Sequence, residues 1–271
     1  MRRQLSILLL LLACMMAAGC TKKIQVQAIQ LSNFDGSNLA PITRDEVKIW
    51  MDAANSTYSK YDYEFVYDNA ANSPDFVTWN NSDLNKVPAT DEEQAKYDIL
   101  ANFMAVAWYP DRMVVYFRAE GGGGWSWGPT GLHYVSMPSY TNTSINKPSA
   151  GSPNDTLFAH EAGHYLGLPH TFTDVQCNVA TLNNTDGDKD GQDGNTTEDD
   201  IKDTAGDPNA CAPTTSLNCP GGTVVVNSVT FSPPWTNIMT YHDCLPETIS
   251  LDQRKVFERT LKDSYRSPIL R

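Results

Sequence analysis

Apolar positions along this chain recur with two periods, and each period predicts a kind of element. Val47, Trp50, Met51, Ala54, Tyr58 and Tyr61 follow at helical spacing behind Thr43-Arg-Asp-Glu46, a capping-box signature. They predict an amphipathic helix over roughly 44–60. A second helix opens at Thr90-Asp-Glu-Glu93 and covers roughly 91–104, with Ala95, Ile99, Leu100 and Phe103 on one apolar face. Ser250-Leu-Asp-Gln253 begins a last helix that reaches about Leu261. Strands are predicted at Tyr63–Tyr67, Phe76–Trp79, Arg112–Arg118 and Leu132–Met137. Between the last two lie Gly121–Gly124 and then Trp125-Ser-Trp127-Gly-Pro, which four consecutive glycines mark as a loop. Residues 21–40 are polar without a clear period and read as a short tether.

The one long apolar run stands at the start, in MRRQLSILLLLLACMMAAGC. Arg2 and Arg3 precede an apolar stretch too short to favour a spanning helix, and small residues lead directly to Cys20. This pattern resembles a bacterial lipoprotein signal over residues 1–19, cut before a Cys20 that is then acylated. It predicts export and a lipid anchor to a bacterial membrane, facing the periplasm or the cell exterior. Cys177, Cys211, Cys219 and Cys244 then remain, an even number that in an oxidising compartment reads as two disulfides with three possible connectivities. Composition adds an exclusion. The chain of 271 residues carries 20 basic against 32 acidic side chains and no basic cluster, so nucleic acid is a poor partner.

The chemistry concentrates in His-Glu-Ala-Gly-His-Tyr-Leu-Gly-Leu-Pro-His, residues 160–170. On a helix over 155–166, His160 and His164 project from one face and can reach one metal ion. Gly167 permits the sharp turn that ends the helix and brings His170 round as a third nitrogen ligand. Three neutral imidazoles with one open position describe a catalytic zinc site. Glu161 stands beside the metal, placed to take a proton from the water that the metal activates. A second cation site is suggested by Asp186, Asp188, Asp190, Gln192 and Asp193, oxygen ligands at near-alternate positions resembling the opening of a calcium loop. The twelfth position of such a loop falls on Thr197 rather than a glutamate.

The extended motif HExxHxxGxxH, with Asn237-Ile-Met239-Thr-Tyr241 downstream, resembles the metzincin metallopeptidases. Thr171-Phe172 after the third histidine, Cys177, the Asp-Ile-Lys-Asp-Thr stretch at 200–204 and Cys244 after the methionine narrow the resemblance to the pappalysin type. It is strong over 155–172 and 235–257 and loose over 40–154. The resemblance implies an α+β catalytic domain over 41–271, with a mixed sheet and two helices above the cleft. An irregular, disulfide-tied subdomain is expected below. It further implies Met239 as a pedestal under the metal, Tyr241 as a phenol donor to the reaction centre, and Asp243 in a substrate pocket favouring Lys or Arg. It mildly favours Cys177–Cys219 with Cys211–Cys244, and it supports structural calcium. The expected activity is zinc-dependent hydrolysis of protein or peptide substrates. The competing expectation is a calcium-stabilised surface-binding lipoprotein whose peptidase site has lapsed, against which retention of Glu161 argues.

Overall fold

The computed structural model describes residues 21–128, 132–139, 156–171, 201, 204, 222–226, 229–240, 247–262 and 266–270. Its centre is a five-stranded sheet of β1 (Lys22–Ser32), β2 (Tyr63–Val66), β3 (Phe76–Asn80), β4 (Met113–Arg118) and β5 (Tyr134–Pro138). One edge of β1 pairs first with β2 and then with β3, the other with β4, and β4 pairs with β5.

The segment expected to be a tether is therefore the middle of the sheet. The sequence Lys22-Lys-Ile-Gln-Val-Gln-Ala-Ile-Gln-Leu-Ser32 does alternate, but glutamines occupy positions that a buried strand ordinarily fills with apolar residues. Each glutamine is satisfied locally. Gln25 donates to Asp75 Oδ2 at 3.1 Å, Gln27 to the Pro74 carbonyl at 3.0 Å, and Gln30 to the Ala40 carbonyl at 2.7 Å. Hydrogen-bonded in this way, a glutamine can stand in a buried strand at little cost.

The second correction concerns direction. All strand pairings in the five-stranded sheet are parallel, so it is not mixed, and the fold is α/β in character. The antiparallel contacts on this sheet are isolated bridges, Trp125–Ser136 at its outer edge and Ile24–Leu270. Helix α1 (Arg44–Tyr58) joins β1 to β2 and α2 (Asp91–Trp108) joins β3 to β4, the crossovers that parallel neighbours require. Both helices start where the sequence places them. Thr43 and Glu46 complete a capping box, and Thr90 accepts from the Glu93 N–H.

Side chains alternate to two cores. Ile24, Val26, Ala28, Met113, Val115, Phe117, Val135 and Met137 face α1 and the catalytic-motif helix α3 (Leu157–Tyr165). Ile29, Leu31, Val114, Tyr116 and Tyr134 face α2. On α2 the buried face is Tyr97, Ala101 and Ala105, whereas Ile99 and Phe103 are 72% and 67% exposed. Of the apolar face assigned from sequence, Leu100 packs against this core, while Ile99 and Phe103 point away from the sheet. Small residues are what let α2 approach it, and the Tyr97 hydroxyl meets Ser136 Oγ at 3.0 Å. Helix α4 (Leu251–Thr260) begins at the expected Ser250–Gln253 capping box. A short hairpin, β6 (Val224–Val226) with β7 (Val229–Phe231), lies before it in the chain.

Candidate metal centre

Helix α3 ends in a left-handed turn that shapes the site. Gly167 has φ +91°, and the Leu168 and Gly167 N–H groups donate to the carbonyls of Gly163 and His164 at 2.9 and 2.8 Å. This is the Schellman closure, for which glycine is the residue without steric penalty. A side chain at 167 would also meet Thr260 Oγ1 at 2.5 Å. The closure leaves the Leu168 carbonyl 2.8 Å from His164 Nδ1, and the Ile238 carbonyl lies 2.6 Å from His160 Nδ1. Each Nδ1 must carry the proton to make these bonds, so each Nε2 presents a lone pair.

Those lone pairs converge on His170. Its Nε2 lies 3.0 Å from that of His164 and 3.2 Å from that of His160. Three nitrogens bound tetrahedrally to zinc at the usual bond length stand about 3.3 Å apart, so the triangle fits the ion. Among the described residues this is the group able to hold a metal. Burial, with the neighbouring imidazoles, holds His160 well below its usual range and His170 down at about 3. His160 and His170 are therefore neutral without any deprotonation step.

Met239 is wholly buried under α3, and a side chain added at Gly163 would come within 2.3 Å of its sulfur. The turn carrying Met239 is pinned from α4. Asn237 and Gln253 exchange amide hydrogen bonds of 2.7 and 3.2 Å, Asn237 Oδ1 accepts from the Met239 N–H, and Thr171 donates its N–H to the Met239 carbonyl. Asn237 and Gln253 were legible in the sequence only as a neighbour of Met239 and as a cap residue.

Glu161 is 4% exposed, and its Oε2 has no hydrogen-bond partner among the described residues. Burial pushes its carboxyl up to about 8, an effect opposed by the Arg118 charge and the Ser126 N–H. Gly124 lies so close that a β-carbon there would stand 2.7 Å from Glu161 Cγ. The glycine segment is irregular, as expected, but it is also the roof over Glu161. Arg118 is a site residue that sequence reasoning missed, because inside RMVVYFR it reads as the end of a strand. Tyr241, Asp243, Cys20, Cys177, Cys211, Cys219, Cys244 and the stretch from Asp186 to Asp193 lie outside the described residues. His133, half-buried, is held down at about 4 by burial and the Arg266 charge.

A helix presenting two imidazoles and a carboxylate, closed by a glycine turn that delivers a third imidazole above a buried methionine, defines a zinc-metallopeptidase centre. The profile of metallo-peptidase family M12B, reprolysin-like, matches residues 24–171, more than half of the chain. The chain belongs to this family and is a metalloprotease, a hydrolase of peptide bonds. No curated protein matches the sequence. Among solved structures, mature mirolysin of Tannerella forsythia in complex with a cleaved peptide is similar in fold, with TM-score 0.56 and 16% identity. The match covers 93% of this chain and 96% of that one. Mirolysin in complex with compound 9 gives TM-score 0.56 at 14% identity, with coverage of 93% and 96%. A Tannerella forsythia promirolysin mutant gives 0.53 at 14% identity, with coverage of 91% and 83%.

Proposed function

We propose that this metalloprotease is a zinc-dependent endopeptidase of the pappalysin type in which Glu161 is the general base and then the general acid. The observation that carries the reading is a buried carboxylate with one unpartnered oxygen, next in sequence to a triangle of convergent Nε2 atoms. His160, His164 and His170 would hold zinc, which when bound supplies a Lewis acid for water and for the scissile carbonyl. Glu161 Oε2 would accept the proton of the attacking water and deliver it to the leaving amine. The roof at Gly124 helps keep bulk water from the buried carboxylate, which sustains its basicity. Tyr241 would donate its phenol to the developing oxyanion. Asp243 would sit in a pocket selecting Lys or Arg, and Asp186, Asp188, Asp190, Gln192 and Asp193 would bind a structural calcium ion. Cys20 would anchor the enzyme to a bacterial membrane through lipid, and the four later cysteines would form two disulfides.

The test is cleavage of a mixed peptide library by the detergent-solubilised, zinc-loaded protein beside Glu161→Ala. Loss of cleavage in the variant at equal zinc content supports the reading, and the cut sites report the pocket. Cleavage that persists in Glu161→Ala overturns the base assignment. Zinc binding without cleavage by the unaltered protein would favour the lapsed, surface-binding reading.

A further inference from the structure

Arg118 ends β4 and is wholly buried. Its guanidinium does three things at once. It donates to Ser136 Oγ on β5 at 2.9 Å, donates to the Gly123 carbonyl, and stacks over the Trp125 ring at 4.0 Å. Trp125 and Ser136 in turn exchange N–H to carbonyl bonds of 2.9 Å in each direction. Gly123 and Trp125, on either side of Gly124, are thereby fixed by one side chain and one backbone bridge. Between those points Gly124 makes its close approach to the Glu161 side chain.

We propose that Arg118 is a positioning residue for catalysis, holding the glycine segment down so that Gly124 fixes the Glu161 carboxylate in its reactive place. Glycine at 124 is part of the same device, since any side chain there must displace the carboxylate. The planar fork of arginine matters because one guanidinium serves an oxygen on β5, a carbonyl in the segment and an aromatic face together. A lysine brings the charge without that geometry. The proposal rests on Glu161 being the base, and Glu161→Gln tests that premise separately.

The experiment compares Arg118→Met, Arg118→Lys, Gly124→Ala and the Arg118→Met/Gly124→Ala pair with the unaltered, zinc-loaded protein. Zinc content, melting temperature, kcat and KM are measured for each. Gly124→Ala is expected to melt normally, because the clash is relieved by moving one carboxylate, while kcat falls at least about tenfold at full zinc occupancy. Both Arg118 variants are expected to lose kcat by a similar factor with KM changed less. The pair should lose little more than the worse single variant, because both changes act through one carboxylate. Losses that multiply, or full recovery of kcat in Arg118→Lys, would overturn the proposal. Should Arg118→Met fail to fold, the Arg118→Lys/Gly124→Ala pair carries the same cycle. An inactive Glu161→Gln with fully active Arg118 variants would sink this inference alone, whereas an active Glu161→Gln would sink the base assignment beneath it.

Discussion

Single residues at this centre act through protonation and through the space they leave. In the metal-free protein His160 and His170 bind their protons more weakly folded than unfolded, while Glu161 binds its proton more tightly. Below the ordinary histidine value of 6.5 the unfolded chain takes up more histidine protons, so acidification toward about 3 destabilises. From 4.5 upward the unfolded chain has released the Glu161 proton that the folded chain retains to about 8; below 6.5 the two histidines outweigh this loss, and above 6.5 it alone remains, so alkalinity destabilises too. Urea midpoints of chelator-treated protein should therefore peak near 6.5, and Glu161→Gln should remove the decline on the alkaline side. With zinc restored, the dication draws the Glu161 carboxyl down from about 8. The acid limb of kcat/KM is then expected between the usual 4.5 and that value. Space is the other lever. Gly163→Ala drives a methyl onto Met239 and should cost about 1–3 kcal/mol in thermal or urea unfolding. The histidines and Glu161 were legible in the sequence because one helix carries them at a chemically meaningful spacing. Arg118 was not, because its partners come from β5 and the glycine segment, which the fold rather than the spacing brings to it.

At the scale of elements, local signals proved better guides to where helices begin than to which way they face. Thr43, Thr90 and Ser250 each cap the helix they announce, since a side-chain oxygen and an N–H two or three residues on are a purely local pairing. Orientation depends on what lies opposite. Helix α2 turns Tyr97, Ala101 and Ala105 to the sheet, where Tyr116 and Tyr134 already fill the space. Ile99→Ser and Phe103→Ser are accordingly expected to change stability by no more than about 0.5 kcal/mol. Tyr97→Phe removes a buried hydrogen bond to Ser136 and should cost about 1 kcal/mol or more. Helix α4 contributes through Gln253. Gln253→Ala would strand the buried Asn237 amide, costing about 1–3 kcal/mol and loosening the turn that carries Ile238 and Met239. Zinc affinity measured by competition with a chelator should fall in that variant, because the Ile238 carbonyl orients His160.

For the whole molecule, the largest departure from the sequence reading is β1, whose glutamines disguised the strand on which the sheet is built. Its partners were readable one by one, but their parallel arrangement was not, since direction follows from crossovers and not from the composition of a strand. That arrangement has a consequence in time. The first described strand to leave the ribosome waits for Tyr63, then Phe76, then Met113 before both its edges are filled. Long-range pairing of this kind folds slowly, because the loop between partners must close before any contact rewards it. The wait is longer still for the catalytic centre. His160 receives its orienting carbonyl from Ile238, and Ile238 sits in a turn clamped by Gln253, far downstream of the histidines. A nascent chain that has already produced its three histidines and Glu161 still lacks the parts that aim them. Proteolytic competence therefore waits until Gln253 has been made and packed, and a nascent chain shorter than that is spared its own activity.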